Sequence, residues 1–165
     1  VALADTVAGS VSDFVTLMNE KAEKLGMTGT HFSSISGLHR EDHYSTAKDI
    51  ALLLRYAIKN DTFREIIESP YHSTSGTNIH PDGITFYSTM FKNLSDTSVI
   101  DGEIKGGKTG YTSQAGHCLA SFAEIDGVEY ILVTAGAYQA GTPHIDDAVK
   151  LYNRLGESSS VLYGR

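Results

Sequence analysis

Cysteine occurs once in the 165 residues, at Cys118, so the chain can close no internal disulfide. Its neighbours alternate in a strand-like way, which predicts a buried structural thiol. No window of sequence is apolar over the length needed to span a membrane. Val1 is followed by neither a basic stretch nor the long apolar core of a secretory signal. That absence leaves the compartment open, because a mature chain would have lost such a segment. Basic residues are also few, 13 Lys and Arg against 20 Asp and Glu, for a formal net charge of −7. They are scattered, with no dense basic run, and this argues against a nucleic-acid partner. The length suffices for one domain with a core of its own, and the ordinary apolar and charged fractions exclude disordered and fibrous classes.

The first half of the chain carries helical periodicity. Val1 to Ala8 places Leu3 and Val7 one turn apart, with a stop at Gly9. No capping residue precedes it, which fits either a longer helix cut off upstream or a naturally frayed terminus. Ser12 is expected to cap a second helix running to about Leu25, with Phe14, Leu17, Met18, Ala22 and Leu25 on one face. A polar loop, Met27 to Tyr44, leads to a third helix starting near Ser45 or Thr46, its apolar face formed by Ala47, Ile50, Ala51, Leu54 and Ile58. Asp61 to Ser69 reads as a short helix stopped by Pro70.

From Tyr71 the period changes to that of strands. Tyr71 to Ser75 and Ile84 to Ser88 flank a turn containing Gly and Pro. Gly116 to Ile125 and Val128 to Gly136 are joined by Asp126-Gly127, the dipeptide of a tight type I′ hairpin. Glu103 to Thr112 supplies a further strand, and Ile145 to Leu155 a closing helix with Ile145, Ala148, Val149, Tyr152 and Leu155 inward. Helices, then an antiparallel meander, then a helix make an α+β architecture with helices packed on the sheet. No internal repeat and no linker divides the chain, so residues 1–165 are expected to belong to one domain.

Gly106-Gly-Lys-Thr-Gly-Tyr-Thr112 is the string that carries chemistry. Glycines cost a strand packing and entropy, so several together imply that something approaches the backbone closely. Lys108 adds a positive charge and Thr109 a hydroxyl, a combination suited to an anionic ligand lying antiparallel along the strand. A glycine-rich bend with an exposed lysine would read the same. A phosphate P-loop is excluded, because the first glycine at the required spacing is missing.

Lys108-Thr109-Gly110 is also one of three signatures of the serine penicillin-binding proteins. The segments Met18 to Met27, Thr30-His-Phe32, Ser36-Gly-Leu38, His43 to Asp49 and Gly110 to Gly116 come in the same order as their counterparts there. Together they make the chain similar to the D-alanyl-D-alanine carboxypeptidases of that family over roughly residues 1 to 150. The resemblance implies a penicillin-binding protein/β-lactamase-like transpeptidase fold and acyl transfer by a serine through an acyl-enzyme. It implies a peptidoglycan stem peptide ending in D-Ala-D-Ala as substrate, β-lactams as inhibitors, a place in the cell envelope outside the cytoplasmic membrane, and no metal or organic cofactor. By the same resemblance Lys108 and Thr109 would bind the substrate carboxylate and Gly110 would let the backbone approach. Lys108 could join proton transfer, and the Tyr111 N–H would be one of two oxyanion-hole donors.

In the family the nucleophile motif Ser-x-x-Lys and the Ser-x-Asn motif both precede the segment that Val1 to Ser10 resembles. No Ser-x-Asn occurs here. One Ser-x-x-Lys does, Ser45-Thr-Ala-Lys48, but it falls where the resemblance expects a helix cap rather than the nucleophile. The expectation is a C-terminal portion of the catalytic domain, with no nucleophile in this chain and no turnover alone. Such a portion should expose an apolar face and associate with the missing upstream segment or with another copy. Competing readings are a non-catalytic binding module, a β-lactamase, and a metal hydrolase built on His39-Arg-Glu-Asp-His43. The last matches neither the zinc order His-Glu-x-x-His nor its inverse.

Overall fold

Ten-residue runs on either side of Asp126-Gly127 zip into a hairpin because both turn residues take left-handed backbone angles, φ 50° and 75°, that suit the right-handed strand twist. In the computed structural model, which describes residues 1–163, these runs are β5, Gly116–Ile125, and β6, Val128–Ala137. Antiparallel to β5 lies β4, Gly102–Thr112, with Lys108 opposite Ala120 and Tyr111 opposite His117. A two-residue strand, β3 (Ser98–Val99), meets only Glu103 and Gly102. The sheet order is therefore β3-β4-β5-β6, and among the described residues β4 beyond Glu103 has no strand on its outer side.

β5 is the centre of the core, and its pleat sends alternate side chains to opposite faces. Leu119, Ala123 and Ile125 pack with Ile104, Met90 and with Ile145, Ala148 and Tyr152 of the long closing helix, Pro143–Tyr163. Ser121, on the same face, shares a buried hydrogen bond of 3.0 Å with the Tyr152 hydroxyl. Burial pushes the Tyr152 phenol up to about 12. On the opposite face Phe122, fully buried, meets Leu54 and Ile58. Helices thus cover both faces, as the α+β reading requires.

The helices form where expected, with one shift at a start. α1 (Ala2–Ala8) ends on Gly9 at φ 80°. α2 (Val11–Lys24) is capped by Ser10, not Ser12: the chain leaves Gly9 extended, and the Ser10 hydroxyl accepts the Asp13 N–H at 3.0 Å. A cap must be the last non-helical residue, with its oxygen reaching three positions ahead, and Ser12 already lies inside the helix. α3 (Ala47–Ala57) is capped by Thr46 through the Asp49 N–H. α4 (Asp61–Glu68) follows, and then the hairpin β1 (Tyr71–Ser73) with β2 (Thr85–Tyr87). α5 (Thr89–Asn93) and β3 have no counterpart in the sequence reading. The closing helix is α6; of its expected inward positions Ile145, Ala148 and Tyr152 are buried, Val149 is half-buried and Leu155 is exposed. Cys118 is half-buried rather than buried.

The glycines of β4 serve two purposes. A Cβ at Gly106 would lie 2.8 Å from the Ile67 carbonyl oxygen of α4, and one at Gly107 would lie 2.6 Å from Met90 Sδ and 2.8 Å from the Ala120 carbonyl oxygen. At those two positions the close neighbour is the protein itself. At Gly110 nothing lies within 4 Å, so there the backbone is open. Gly106→Ala is therefore expected to cost about 1–3 kcal/mol of stability through overpacking against backbone. Gly110→Ala should stay within about 0.5 kcal/mol of the parent. Thermal melts of the two variants check the contrast, and equal losses would contradict it.

Candidate functional site

Lys108, Thr109, Gly110 and Tyr111 fall on the C-terminal half of β4, the part with an open outer edge. The period of two separates their side chains. Thr109 is half-buried, and its hydroxyl lies 2.5 Å from that of Thr89 at the start of α5. Lys108 is exposed and its ammonium donates to the Thr109 carbonyl at 2.6 Å. No carboxylate among the described residues forms an ion pair with it. Tyr111 is 64 % exposed, with its ring against His117. A cation, two hydroxyls and a strand edge thus meet on one rim.

Alongside Lys108 runs a cleft of about 430 Å³, lined mainly by Phe63, Ile66, Tyr71, Phe86 and Tyr87. Its walls come from α4 and from the β1–β2 hairpin, whose Tyr71, Phe86 and Tyr87 are all exposed. Neither this apolar wall nor Thr89 was legible in the sequence as part of a site. Ser88 precedes α5 but makes no side-chain capping bond, so the usual helix-start signal is weak there. Met90, 1 % exposed, holds the short helix against the core by packing.

The other candidates fall elsewhere. Ser45 hydrogen-bonds the Thr30 hydroxyl at 2.8 Å, and Thr46 caps α3, so Ser45-Thr-Ala-Lys48 acts at a helix start. The buried Asp49 carboxylate completes this corner by accepting the Gly29 N–H and the Thr30 hydroxyl, each at 2.8 Å. His43 lies against Phe32, the rings tilted by 55°, and its Nδ1 accepts the Ser33 N–H, while His39 is exposed in the loop. Among the described residues no three His, Cys, Asp or Glu side chains are grouped to hold a metal ion.

Chemically, the rim can bind an extended ligand that ends in a carboxylate. An ammonium can attract such a charge, and a free strand edge can offer backbone groups to the chain behind it. The Thr89 and Thr109 hydroxyls bond to each other, so neither is hydrogen-bonded to a base in this arrangement.

Comparison with known proteins agrees with this arrangement. The model of the D-alanyl-D-alanine carboxypeptidase family matches residues 1–139. The chain is 31% identical over 140 residues to the carboxypeptidase DacF of Bacillus subtilis, covering 83% of this chain and 33% of the relative. To DacD of Escherichia coli it is 33% identical over 151 residues, covering 92% and 36%. The chain thus spans about a third of the length of these curated relatives. In three dimensions it is similar to the DD-transpeptidase of Streptomyces K15, with a TM-score of 0.77 and 26% identity over 93% of this chain and 61% of that one. With a family model matching residues 1–139 and relatives 31% and 33% identical over most of its length, the chain belongs to the D-alanyl-D-alanine carboxypeptidase family.

Proposed function

We propose that this chain is the Lys-Thr-Gly portion of a serine-type D-Ala-D-Ala carboxypeptidase, acting outside the cytoplasmic membrane on peptidoglycan stem peptides. The observation that carries the reading is the open β4 edge from Lys108 to Tyr111, with the backbone unobstructed at Gly110. On this reading the stem peptide lies antiparallel to β4 with its terminal carboxylate at Lys108 Nζ and the Thr109 hydroxyl. A serine oxygen supplied by an upstream segment attacks the carbonyl carbon between the two D-alanines. The C–N bond breaks, the amine takes a proton, and the terminal D-alanine leaves. Water then hydrolyses the ester. The Tyr111 N–H and the N–H of that serine stabilise the oxyanion in both steps. One such donor contributes about 2.7–4 kcal/mol.

Residues 1–165 are then the C-terminal part of a single catalytic domain. Two observations support this besides the missing motifs. α1 packs against α2 yet leaves Val1, Leu3 and Val7 at least 65 % exposed, and Leu17 of α2 is exposed as well. An apolar helix face of this kind needs a cover, supplied by the upstream segment or by a second copy. The apolar cleft beside Lys108 would receive part of the same cover or an apolar group of a β-lactam side chain. No metal or organic cofactor enters the scheme.

Two measurements follow. In the protein with its upstream segment, Lys108→Ala removes charge-assisted contacts to the carboxylate worth about 1.5–3 kcal/mol, so penicillin acylation should slow by roughly ten- to a hundredfold while the melt is unchanged. An unchanged acylation rate would count against Lys108 as the carboxylate-binding residue. Intact-mass analysis after incubation with penicillin should find no adduct on the 165-residue chain and one adduct once the upstream segment is restored. An adduct at Ser45 in the short chain would overturn the assignment of the nucleophile. No adduct in either would favour a non-catalytic binding module.

A further inference from the structure

Thr109 is held at both of its polar ends, and one of the two side chains that hold it lies outside the Lys-Thr-Gly string. Its carbonyl accepts the Lys108 ammonium at 2.6 Å. Its hydroxyl lies 2.5 Å from that of Thr89, 20 residues earlier in the chain. Thr89 opens α5, and it lines the same cleft that Lys108 borders. The proposed chemistry has so far given it no part.

The fold fixes Thr89 from several sides. The Ser88 N–H donates to the Pro70 carbonyl at 2.8 Å, and the Ser88 carbonyl accepts the Lys92 N–H at 3.0 Å. Asn93 Nδ2 donates to the Thr89 carbonyl at 2.7 Å. Met90, the next residue, is buried in the core, and its Sδ stands 2.6 Å from where a Cβ of Gly107 would be. Gly107 and Thr109 share one face of β4, the face of their ladder partners Ser121 and Leu119. α5 thus lies along that face with Met90 at Gly107 and Thr89 at Thr109. The missing side chain at Gly107 is what lets the two hydroxyls meet.

Two hydroxyls joined by one hydrogen bond carry two protons, of which the bond uses one. The other is left for a ligand. Neither hydroxyl has a further hydrogen-bond partner among the described residues. A carboxylate drawn to the Lys108 ammonium meets Thr109 first, because that ammonium is docked on Thr109 itself. For Thr109 to donate outward, its oxygen must accept from Thr89.

We propose that Thr89 is a positioning residue for carboxylate recognition: it donates its proton to the Thr109 hydroxyl and so leaves the Thr109 proton to the ligand. The assignment rests on the reading of Lys108 and Thr109 as the carboxylate site. Two effects follow from the relay. It selects one rotamer of Thr109, a side chain with few to choose from, and turns the hydroxyl rather than the methyl to α5. It also polarises that hydroxyl, since a group that accepts one hydrogen bond donates more strongly in the next. Both effects favour a ligand that ends in negative charge over one that ends in a neutral ester. Thr89 therefore acts on selection of the terminal carboxylate and not on bond breaking.

The test uses the protein with its upstream segment and two probes, penicillin and its methyl ester, which lacks the carboxylate charge. The parent should react faster with the acid. Thr89→Val removes the hydroxyl and keeps a branched side chain of similar size. It should slow acylation by the acid roughly two- to tenfold through weaker initial binding, with the rate at saturation and the ester rate unchanged. Thr89→Ser, which returns the hydroxyl, should return the rate. Thr109→Val should lose more than Thr89→Val, and combining the two should cost nothing further. A merely structural role would instead lower the melt and slow acid and ester alike. That outcome overturns the proposal, as does a Thr89→Val protein identical to the parent. Additive losses in the double variant, or a larger loss from Thr89→Val than from Thr109→Val, overturn it too. A folded parent that neither probe acylates would refute the carboxypeptidase reading, and this assignment would fall with it.

Discussion

The rest of the site depends on two absent side chains. Gly106 and Gly107 let the backbone of β4 close to within van der Waals contact of α4 and α5, where the Ile67 carbonyl and Met90 Sδ stand in the space a Cβ would take. A register shift between Ile104 and Gly106 marks the same place in the β4–β5 ladder. This contact sets how far the following residues, Lys108 to Tyr111, project along the free edge. It also brings Thr89 within hydrogen-bond distance of Thr109. A side chain at either glycine would push the strand from its helices before it touched any ligand. Glycine in a strand interior is usually a weakness; here it is the condition for helices and a binding edge to share one strand.

α4 can hold its side of that contact because it is anchored at several points. Arg64 donates to the Ile58 carbonyl at 3.0 Å, to Glu68 at 3.2 Å and to Glu129 of β6 at 2.8 Å, and its guanidinium lies 5.2 Å from the Phe122 ring centroid. The hydrogen bond to Glu129, with its charge, holds the guanidinium pKa above its usual value. Farther back, Asp49 fastens the loop after Met27 to the start of α3, and Asn19 of α2 exchanges two hydrogen bonds with the backbone of Phe32. Polar anchors thus hold the early loop to α2 and α3, and α4 to β6.

Much of this was legible in the sequence, for physical reasons that differ by element. Asp126-Gly127 announced its hairpin because a two-residue turn with two positive φ angles accepts few residues, and the alternation around it set the pleat. Long helices showed their period. α5 and β3 did not, since five residues and two residues hold too little pattern to rise above their surroundings, and packing of Met90 and pairing with β4 create them. Ser12 attracted the cap assignment because it precedes Phe14, while the cap depended on where Gly9 released the chain. Of the site, Lys108 to Tyr111 could be read because they are contiguous. Thr89 could not, because only the folded chain brings the start of α5 beside β4. The glycines were read correctly as marking a close approach, but two of the three meet the protein rather than a ligand.

An edge strand that must receive a peptide carries a hazard, since its unpaired backbone can pair with any other strand. β4 meets that hazard with the residue its proposed function also needs. Lys108 is exposed on the open edge, and a lysine there disfavours strand-to-strand docking by burying a charge unless the incoming chain brings a carboxylate. The same ammonium that would repel a second apolar edge would thus select an extended ligand that terminates in negative charge close to it. Thr109 adds a hydroxyl that is already satisfied by Thr89, so it can wait without the cost of an unpaired donor. Gly110 leaves room for the backbone of the ligand. On the proposed reading, protection of the edge and selection of the ligand would both come from one three-residue string, and the covalent step would fall to a residue contributed by another part of the fold.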